Sequence, residues 1–183
     1  GVTRQLPKPF MVVATQNPID QEGTYRLPEA QLDRFLFKIE VKYPLLQEEI
    51  SILQNQHRAD NRHLLDVISK VLSKEEIAHF RSLIRGILVE PKLLEFVAKI
   101  VHETRNNPSL FLGASPRASL AIVKAAKAFA AMKGRDFITP EDIVEVAPHV
   151  LRHRIILTPE KEMEGITSDE LVERIIHSIE IPR

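Results

Sequence analysis

Signals for the start of α-helices recur from residue 45 onward, and they constrain the fold of this chain more than any other feature. Three residue pairs have the spacing of a capping box, in which a hydroxyl and a carboxylate three residues later each satisfy a free backbone amide at the helix start. These pairs are Ser73 with Glu76, Thr139 with Asp142, and Thr167 with Glu170. Together with the hydrophobic periodicity they predict helices over 45–58, 74–86, 91–106, 116–133, 140–152 and 168–179.

Only the first part of the chain has patterns typical of β-strands. Residues 10–14 form an apolar run rich in β-branched side chains, as in a strand buried on both faces, and residues 35–41 alternate apolar and polar side chains. A short helix is predicted between them over 28–33, with proline in its first turn. Two strands alone do not make a stable sheet. Either these strands pair with others in the chain, or the sequence begins within a larger α/β domain. The residues predict a mainly α protein, with two strands in residues 1–44 followed by an all-helical part in residues 45–183.

Composition excludes several classes of function. Lys+Arg 25 balances Asp+Glu 25, so the chain lacks the excess positive charge typical of nucleic-acid binding proteins. It has no cysteine, which excludes disulfides, thiolate metal sites and a cysteine nucleophile. His149 and His153 are four residues apart but lack the glutamate of the H-E-x-x-H motif, so packing is favoured over a metal site. No apolar stretch approaches the about 20 residues of a membrane span, and we expect a cytoplasmic protein without a nucleic-acid partner.

Two polar residues adjoin the predicted strands. Asn17 follows the first strand, and ligands of parallel sheets bind where the loops leave the carboxyl ends of the strands. The alternative for Asn17 is a simple turn initiated with Pro18. Arg34 ends the short helix, where a surface ion pair with Asp33 would be worth about 0–1 kcal/mol. Taken alone, such a neighbouring pair favours a local structural role for Arg34.

Arg117 lies where local electrostatics oppose it. Ser115 suits an N-cap and Pro116 the first helical position, so Arg117 falls in the first turn of the helix. There the helix dipole disfavours a cation by about 0.3–1 kcal/mol. A bound anion such as a phosphate would reverse this cost, because the free amides of the helix start also favour it. A carboxylate from a neighbouring helix is the alternative.

Four segments, in order along nearly the whole chain, carry a family pattern. They read PFMVVATQNPIDQEGTY at 9–25, LPEAQLDRF at 27–35, GASPRA at 113–118 and VLRHR at 150–154. With these segments the chain closely resembles the MoxR family of AAA+ ATPases. One departure is Arg26, where that family usually has proline; it leaves the loop less rigid and adds a charge near the expected subunit interface.

The resemblance implies a role for each of the three polar residues. Asn17 would be the first-sensor residue that positions water at the γ-phosphate, and Arg34 the arginine finger offered to ATP on a neighbouring subunit. Arg117 would be the second-sensor residue. The resemblance further implies ATP and Mg²⁺ as cofactors and a homo-oligomeric, hexameric ring. The activity would be remodelling or assembly of partner proteins, often ones with a von Willebrand factor A-type domain.

The nucleotide-binding motifs of such an ATPase are missing from this sequence. No glycine is followed by lysine, so no G-x-x-x-x-G-K-[ST] loop is present, and Asp169-Glu170 lies at a helix start instead of after a hydrophobic strand. We therefore expect a C-terminal part, with the end of the nucleotide-binding subdomain in 1–44 and the helical lid in 45–183, that is inactive by itself. The alternatives are a magnesium-chelatase-type subunit, which shares Leu-Asp-Arg-Phe, and a helical protein-interaction module without a nucleotide role.

Overall fold

The computed structural model describes residues 2–16, 27–58 and 68–182, and this part of the chain is mostly helical. The helices are α1 (Glu29–Leu32), α2 (Leu46–Arg58), α3 (Lys74–Gly86), α4 (Pro91–Asn106), α5 (Pro116–Met132), α6 (Pro140–Leu151), α7 (Pro159–Met163) and α8 (Ser168–Ser178). Two short strands complete the secondary structure, β1 (Leu110–Leu112) and β2 (Ile156–Leu157). The mainly α fold class is confirmed, and α7 is a short helix that the sequence patterns did not predict.

The predicted helix starts are confirmed by their hydrogen bonds. At α3 the Ser73 amide donates to the Glu76 carboxylate at 2.6 Å, and the Glu76 amide donates to Ser73 Oγ at 3.1 Å. The capping boxes of α6 and α8 are formed as well. Gly134 follows α5 with φ of +73°, a left-handed conformation that glycine adopts without strain. Local sequence therefore sets the ends of these helices within about two residues.

The strands lie elsewhere than predicted. In the described ranges the sheet is the antiparallel pair β1–β2, with Leu110 opposite Leu157 and Leu112 opposite Ile156. Residues 10–14 and 35–41 are not strands. A strand needs a neighbouring strand for its backbone hydrogen bonds, whereas the backbone of residues 35–38 bonds instead to the end of α6 and to the side chains that follow it. Burial does alternate in residues 35–38, with Phe35 and Phe37 half-buried, but Phe37 packs against a helical core.

The chain divides into two compact units. One comprises Gly1–Phe10 and Ile39–His79, and the other comprises Met11–Lys38 and Phe80–Arg183, so the division falls within α3. Over the described residues, α2 and α3 contain no fully buried side chain. The hydrophobic core lies in the second unit.

Helix α5 is central to that core and packs against α4 and α6. Apart from Ile122, its buried residues are alanines, which let the neighbouring helices approach closely: Ala118, Ala121, Ala125, Ala126 and Ala130. Large buried side chains of α4 and α6, including Phe96 and Ile143, fill the space around it. Each such side chain contributes about 1.5–3 kcal/mol on burial. The start of α5 and the end of α6 are therefore fixed within one packed body.

Candidate functional site

The loop before α5 is held tightly against α4. A Cβ atom on Gly113 would lie 2.5 Å from the Thr104 carbonyl oxygen and 2.7 Å from Arg105 Cα, so only glycine permits this approach. The Ala114 amide donates to Thr104 Oγ1 at 3.0 Å, and Arg105 Nε donates to the Ala114 carbonyl at 2.8 Å. These contacts fix where α5 begins.

Arg117 lies in the first turn of α5, as its sequence position predicts. Ser115 is the N-cap, and its Oγ accepts a hydrogen bond from the Arg117 amide at 3.3 Å. The Arg117 side chain is 61% exposed, and its Nη1 lies 3.3 Å from an oxygen of Asp33. The sequence left either a bound anion or a carboxylate as the partner of Arg117. In the structure the partner is the carboxylate of Asp33, the C-cap residue of α1.

Asp33 is the meeting point of three donors. Its carboxylate accepts from Arg154 Nε at 3.0 Å, from Ser115 Oγ at 3.0 Å and from Arg117 Nη1 at 3.3 Å. Partial burial acts to raise the pKa of Asp33, but the hydrogen bonds from Ser115, Arg154 and Arg117 outweigh it and lower that pKa. The carboxylate is therefore charged at neutral pH. We call these four side chains the Asp33 cluster.

Arg154 anchors the segment that follows Asp33. Its side chain is 3% exposed, and it donates to the carbonyl oxygens of Asp33 at 3.1 Å and Leu36 at 3.2 Å, as well as to those of Phe35 and Val150. A buried guanidinium is stable only when its donors find acceptors. One side chain therefore ties residues 33–36 to the end of α6.

Arg152 reinforces this attachment on the other side. Its Nε and Nη2 form a bidentate ion pair with Asp169 at 2.9 and 2.8 Å, and its Nη1 donates to the Lys38 carbonyl at 3.3 Å. The Lys38 amide donates in turn to the His149 carbonyl at 3.1 Å. The segment from Asp33 to Lys38 is thus bound at both ends to the end of α6.

His149 near the end of α6 and His153 just after it are half-buried. His153 Nε2 lies 3.1 Å from the Phe35 carbonyl, and the His149 ring meets Phe37 edge to face at 6.4 Å. The Nδ1 atoms of both rings are buried and have no hydrogen-bond partner among the described residues. Burial lowers the pKa of His153. No group of three histidine, cysteine or acidic side chains that could hold a metal ion occurs in the described residues.

Arg34 follows Asp33 directly, and its side chain is exposed. The ion pair with Asp33 that the sequence favoured is not formed, because that carboxylate is engaged by the other three side chains. Within the ranges 2–16, 27–58 and 68–182, the Arg34 guanidinium has no ion-pair partner. Asn17 lies outside the described residues.

Of the three predicted site residues, Arg117 is the one whose side chain contacts the Asp33 carboxylate in the described part of the chain. Arg34 adjoins Asp33 in the chain, and Arg117 reaches it through an ion pair. Sequence reasoning missed Arg154, whose contact with Asp33 spans 121 positions. Its one signal was its place as the last residue of the VLRHR segment, three residues after the end of α6.

Comparison with known proteins matches both parts of the chain to AAA models. Residues 1–37 match the model described as "ATPase family associated with various cellular activities (AAA)", and residues 102–175 match the AAA lid domain. The first match includes Asn17 and Arg34, and the second includes Arg117. Over the described residues, no helix has both the length and the apolar character needed to cross a bilayer.

Individual relatives agree with these models. The chain is 42% identical over 182 residues to YeaC of Bacillus subtilis, covering 100% of this chain and 56% of YeaC. It is 38% identical over 192 residues to the chaperone MoxR1 of Mycobacterium tuberculosis, covering 100% of this chain and 50% of MoxR1. The chain thus spans about half the length of these curated relatives.

A solved structure has the same fold. The crystal structure of a candidate ATPase from Cytophaga hutchinsonii superposes with a TM-score of 0.86 at 36% sequence identity, over 97% of this chain and 56% of that one. Sequence and structure therefore agree over nearly the full length of the chain. Over its whole length the chain is similar to MoxR-family proteins, and its two ends match the AAA and AAA lid models.

Proposed function

We propose that the complete protein hydrolyses ATP, with Arg34 acting on ATP bound by a neighbouring subunit and Arg117 acting on ATP bound by its own. The observation that carries this proposal is the setting of Arg34. Its backbone is held on both sides by Arg154, while its side chain is exposed and free of ion pairs with other described residues. An arginine with a fixed backbone and an exposed guanidinium that forms no ion pair with another described residue is suited to reach a phosphate on another molecule.

The setting of Arg117 supports the second role. It lies at a helix N-terminus, where free amides and the helix dipole favour an anion. Its contact with Asp33 is a single 3.3 Å ion pair of a largely exposed side chain, which a more highly charged phosphate can replace. For Asn17 the proposal as first-sensor residue rests on the resemblance of its segment.

Each of the two exposed guanidinium groups, Arg34 and Arg117, is a suitable donor to the phosphates of a nucleoside triphosphate. When bound, ATP supplies the γ-phosphoryl group and Mg²⁺ neutralises part of its charge. In this proposal Arg34 stabilises the charge that develops on the phosphoryl group, and Arg117 orients the phosphates. No described residue is assigned as a ligand of Mg²⁺.

A finger that acts on a neighbour requires a homo-oligomer, for which we propose a ring of six subunits in the cytoplasm. The ring would couple hydrolysis to the remodelling or assembly of partner proteins, including ones with a von Willebrand factor A-type domain. Within it, residues 1–44 would be the end of the nucleotide-binding subdomain and residues 45–183 the lid. By itself this chain would not hydrolyse ATP, because it has no phosphate-binding loop of the G-x-x-x-x-G-K-[ST] type.

The test is Arg34→Ala in the complete protein. We expect nucleotide affinity to stay within a few-fold of wild type and the hydrolysis rate to fall by about 10³–10⁵-fold, the range measured for arginine fingers. Steady-state ATPase assays and equilibrium nucleotide titration measure the two quantities. Arg174→Ala is the matched control, because Arg174 is likewise exposed but lies on α8.

Mixing experiments separate a finger from a local role. When Arg34→Ala subunits are mixed with subunits defective only in their phosphate-binding loop, some rings contain an intact site facing an intact finger, and partial activity returns. If Arg34→Ala hydrolyses ATP at the wild-type rate, the finger assignment is wrong. A complete protein that binds its partners without any nucleotide dependence would favour a helical interaction module instead.

A further inference from the structure

We propose that Asp33 is a positioning residue that links the two arginines: it competes with nucleotide phosphate for Arg117 and holds the segment that presents Arg34. The inference rests on the proposed function of these arginines and adds a coupling between them. It follows from an asymmetry among the three donors that meet at the Asp33 carboxylate.

Two of these donors are built into the fold. Arg154 is buried, and the same side chain holds four backbone carbonyl groups, so it cannot leave Asp33 without exposing a charge to an apolar core. Ser115 is the N-cap of α5, and the loop before it is fixed to α4. Asp33 is thus attached to the start of α5 and to the residues that follow the end of α6.

The third donor is exchangeable. Arg117 is 61% exposed and touches Asp33 through one nitrogen at 3.3 Å, whereas Arg154 is 3% exposed. Exposed ion pairs of this kind contribute little because water and salt screen them. A phosphate with two or more charges near the start of α5 would therefore take Arg117 from Asp33 while the Arg154 contacts remain.

Transfer of Arg117 changes the charge balance around Asp33, next to Arg34. With Arg117 engaged, one carboxylate is shared by two guanidinium groups; with Arg117 withdrawn, it is paired with Arg154 alone. Arg154 also binds the carbonyls of Asp33 and Phe35, the residues on either side of Arg34. Whether Arg117 is bound to Asp33 or to phosphate in one subunit thereby affects how the same subunit presents Arg34 to its neighbour.

The first test is a double-mutant cycle on affinity. Asp33→Asn keeps the shape of the side chain but removes the charge that competes for Arg117. We expect the complete protein to bind a non-hydrolysable ATP analogue more tightly, by up to about five-fold, as judged by calorimetry. The gain must vanish when Arg117→Ala is also present. Unchanged or weaker binding by Asp33→Asn, or the same gain without Arg117, would overturn the competition.

The second test is a double-mutant cycle of Asp33 and Arg34, measured on kcat. Asp33→Asn should lower kcat while KM for ATP falls, and the loss of kcat should disappear in an Arg34→Ala background, because Asp33 acts on turnover through Arg34. General damage to the fold would lower kcat in both backgrounds. An equal loss of kcat with and without Arg34 therefore contradicts the linkage.

Asp33→Glu covers the case in which the asparagine variant does not fold. It retains the charge that Arg154 requires but moves the carboxylate by one methylene. We expect a reduced kcat that again depends on Arg34, with affinity near wild type because the competing charge remains. If Arg34→Ala itself leaves turnover unchanged, the proposed function fails; if Arg34→Ala abolishes turnover but both cycles are additive, only the role of Asp33 fails.

Discussion

Asp142 offers a direct measure of how strongly the start of α6 is fixed. Its side chain is fully buried and accepts from Arg135 at 2.6 and 2.8 Å, from Lys133 at 3.3 Å and from the Thr139 amide at 2.9 Å. Burial acts to raise the pKa of Asp142, but the hydrogen bonds from Arg135, Thr139 and Lys133 lower it to about 2 from the ordinary 3.8. Arg154, which binds the backbone on both sides of Arg34, follows the end of the same helix.

That shift sets the expected magnitude. Each pKa unit corresponds to about 1.4 kcal/mol, so the charged carboxylate contributes about 2.5 kcal/mol to the free energy of unfolding at neutral pH. Asp142→Asn leaves Arg135 facing an amide, and removing one partner of a buried ion pair costs about 3–5 kcal/mol. We expect the variant to lose about 2–5 kcal/mol at pH 7 in urea unfolding followed by circular dichroism.

The pH dependence has a definite sign. Because the pKa of Asp142 is lowered in the folded state, its contribution is complete above the ordinary pKa of 3.8 and is lost as the pH falls towards 2. The gap between wild type and Asp142→Asn should therefore shrink over that window. Asp136→Asn is the control, because Asp136 is exposed and lies in the loop before α6. A gap below about 0.5 kcal/mol at pH 7, or one that stays constant from pH 5 to 2, would refute the reasoning.

Two further predictions concern the residues around the Asp33 cluster. Gly113→Ala should lower the urea midpoint clearly, because its Cβ would overlap the backbone of Thr104 and Arg105 and displace the start of α5; a midpoint equal to wild type would contradict the close approach. For His153 the folded-state pKa is lowered by burial, so its contribution to stability is complete above about pH 6.5 and is lost as the pH falls below that value. Between pH 7.5 and pH 5.5 the free energy of unfolding should fall more for wild type than for His153→Gln. An equal fall in both proteins would exclude His153 as the cause of the pH dependence.

The sequence alone determined the helices other than α7. Their starts depend on hydrogen bonds between residues three positions apart, such as Ser73 with Glu76, and their ends on residues such as Gly134. Signals this local act before any tertiary contact forms. For the same reason the position of Arg117 in the first turn of α5 could be predicted from Ser115 and Pro116 alone.

Tertiary structure decided which charges meet. The sequence places Asp33 beside Arg34, yet packing of α5 and α6 brings Ser115, Arg117 and Arg154 to that carboxylate from at least 82 positions away. A sequence pattern cannot predict such a partner, because an ion pair forms wherever the packing of helices brings two opposite charges close together. The alternation of apolar and polar side chains in residues 35–38 likewise predicted which side chains are more buried. It could not predict whether the backbone bonds to a strand or to a helix end, because that depends on which element the fold places beside it.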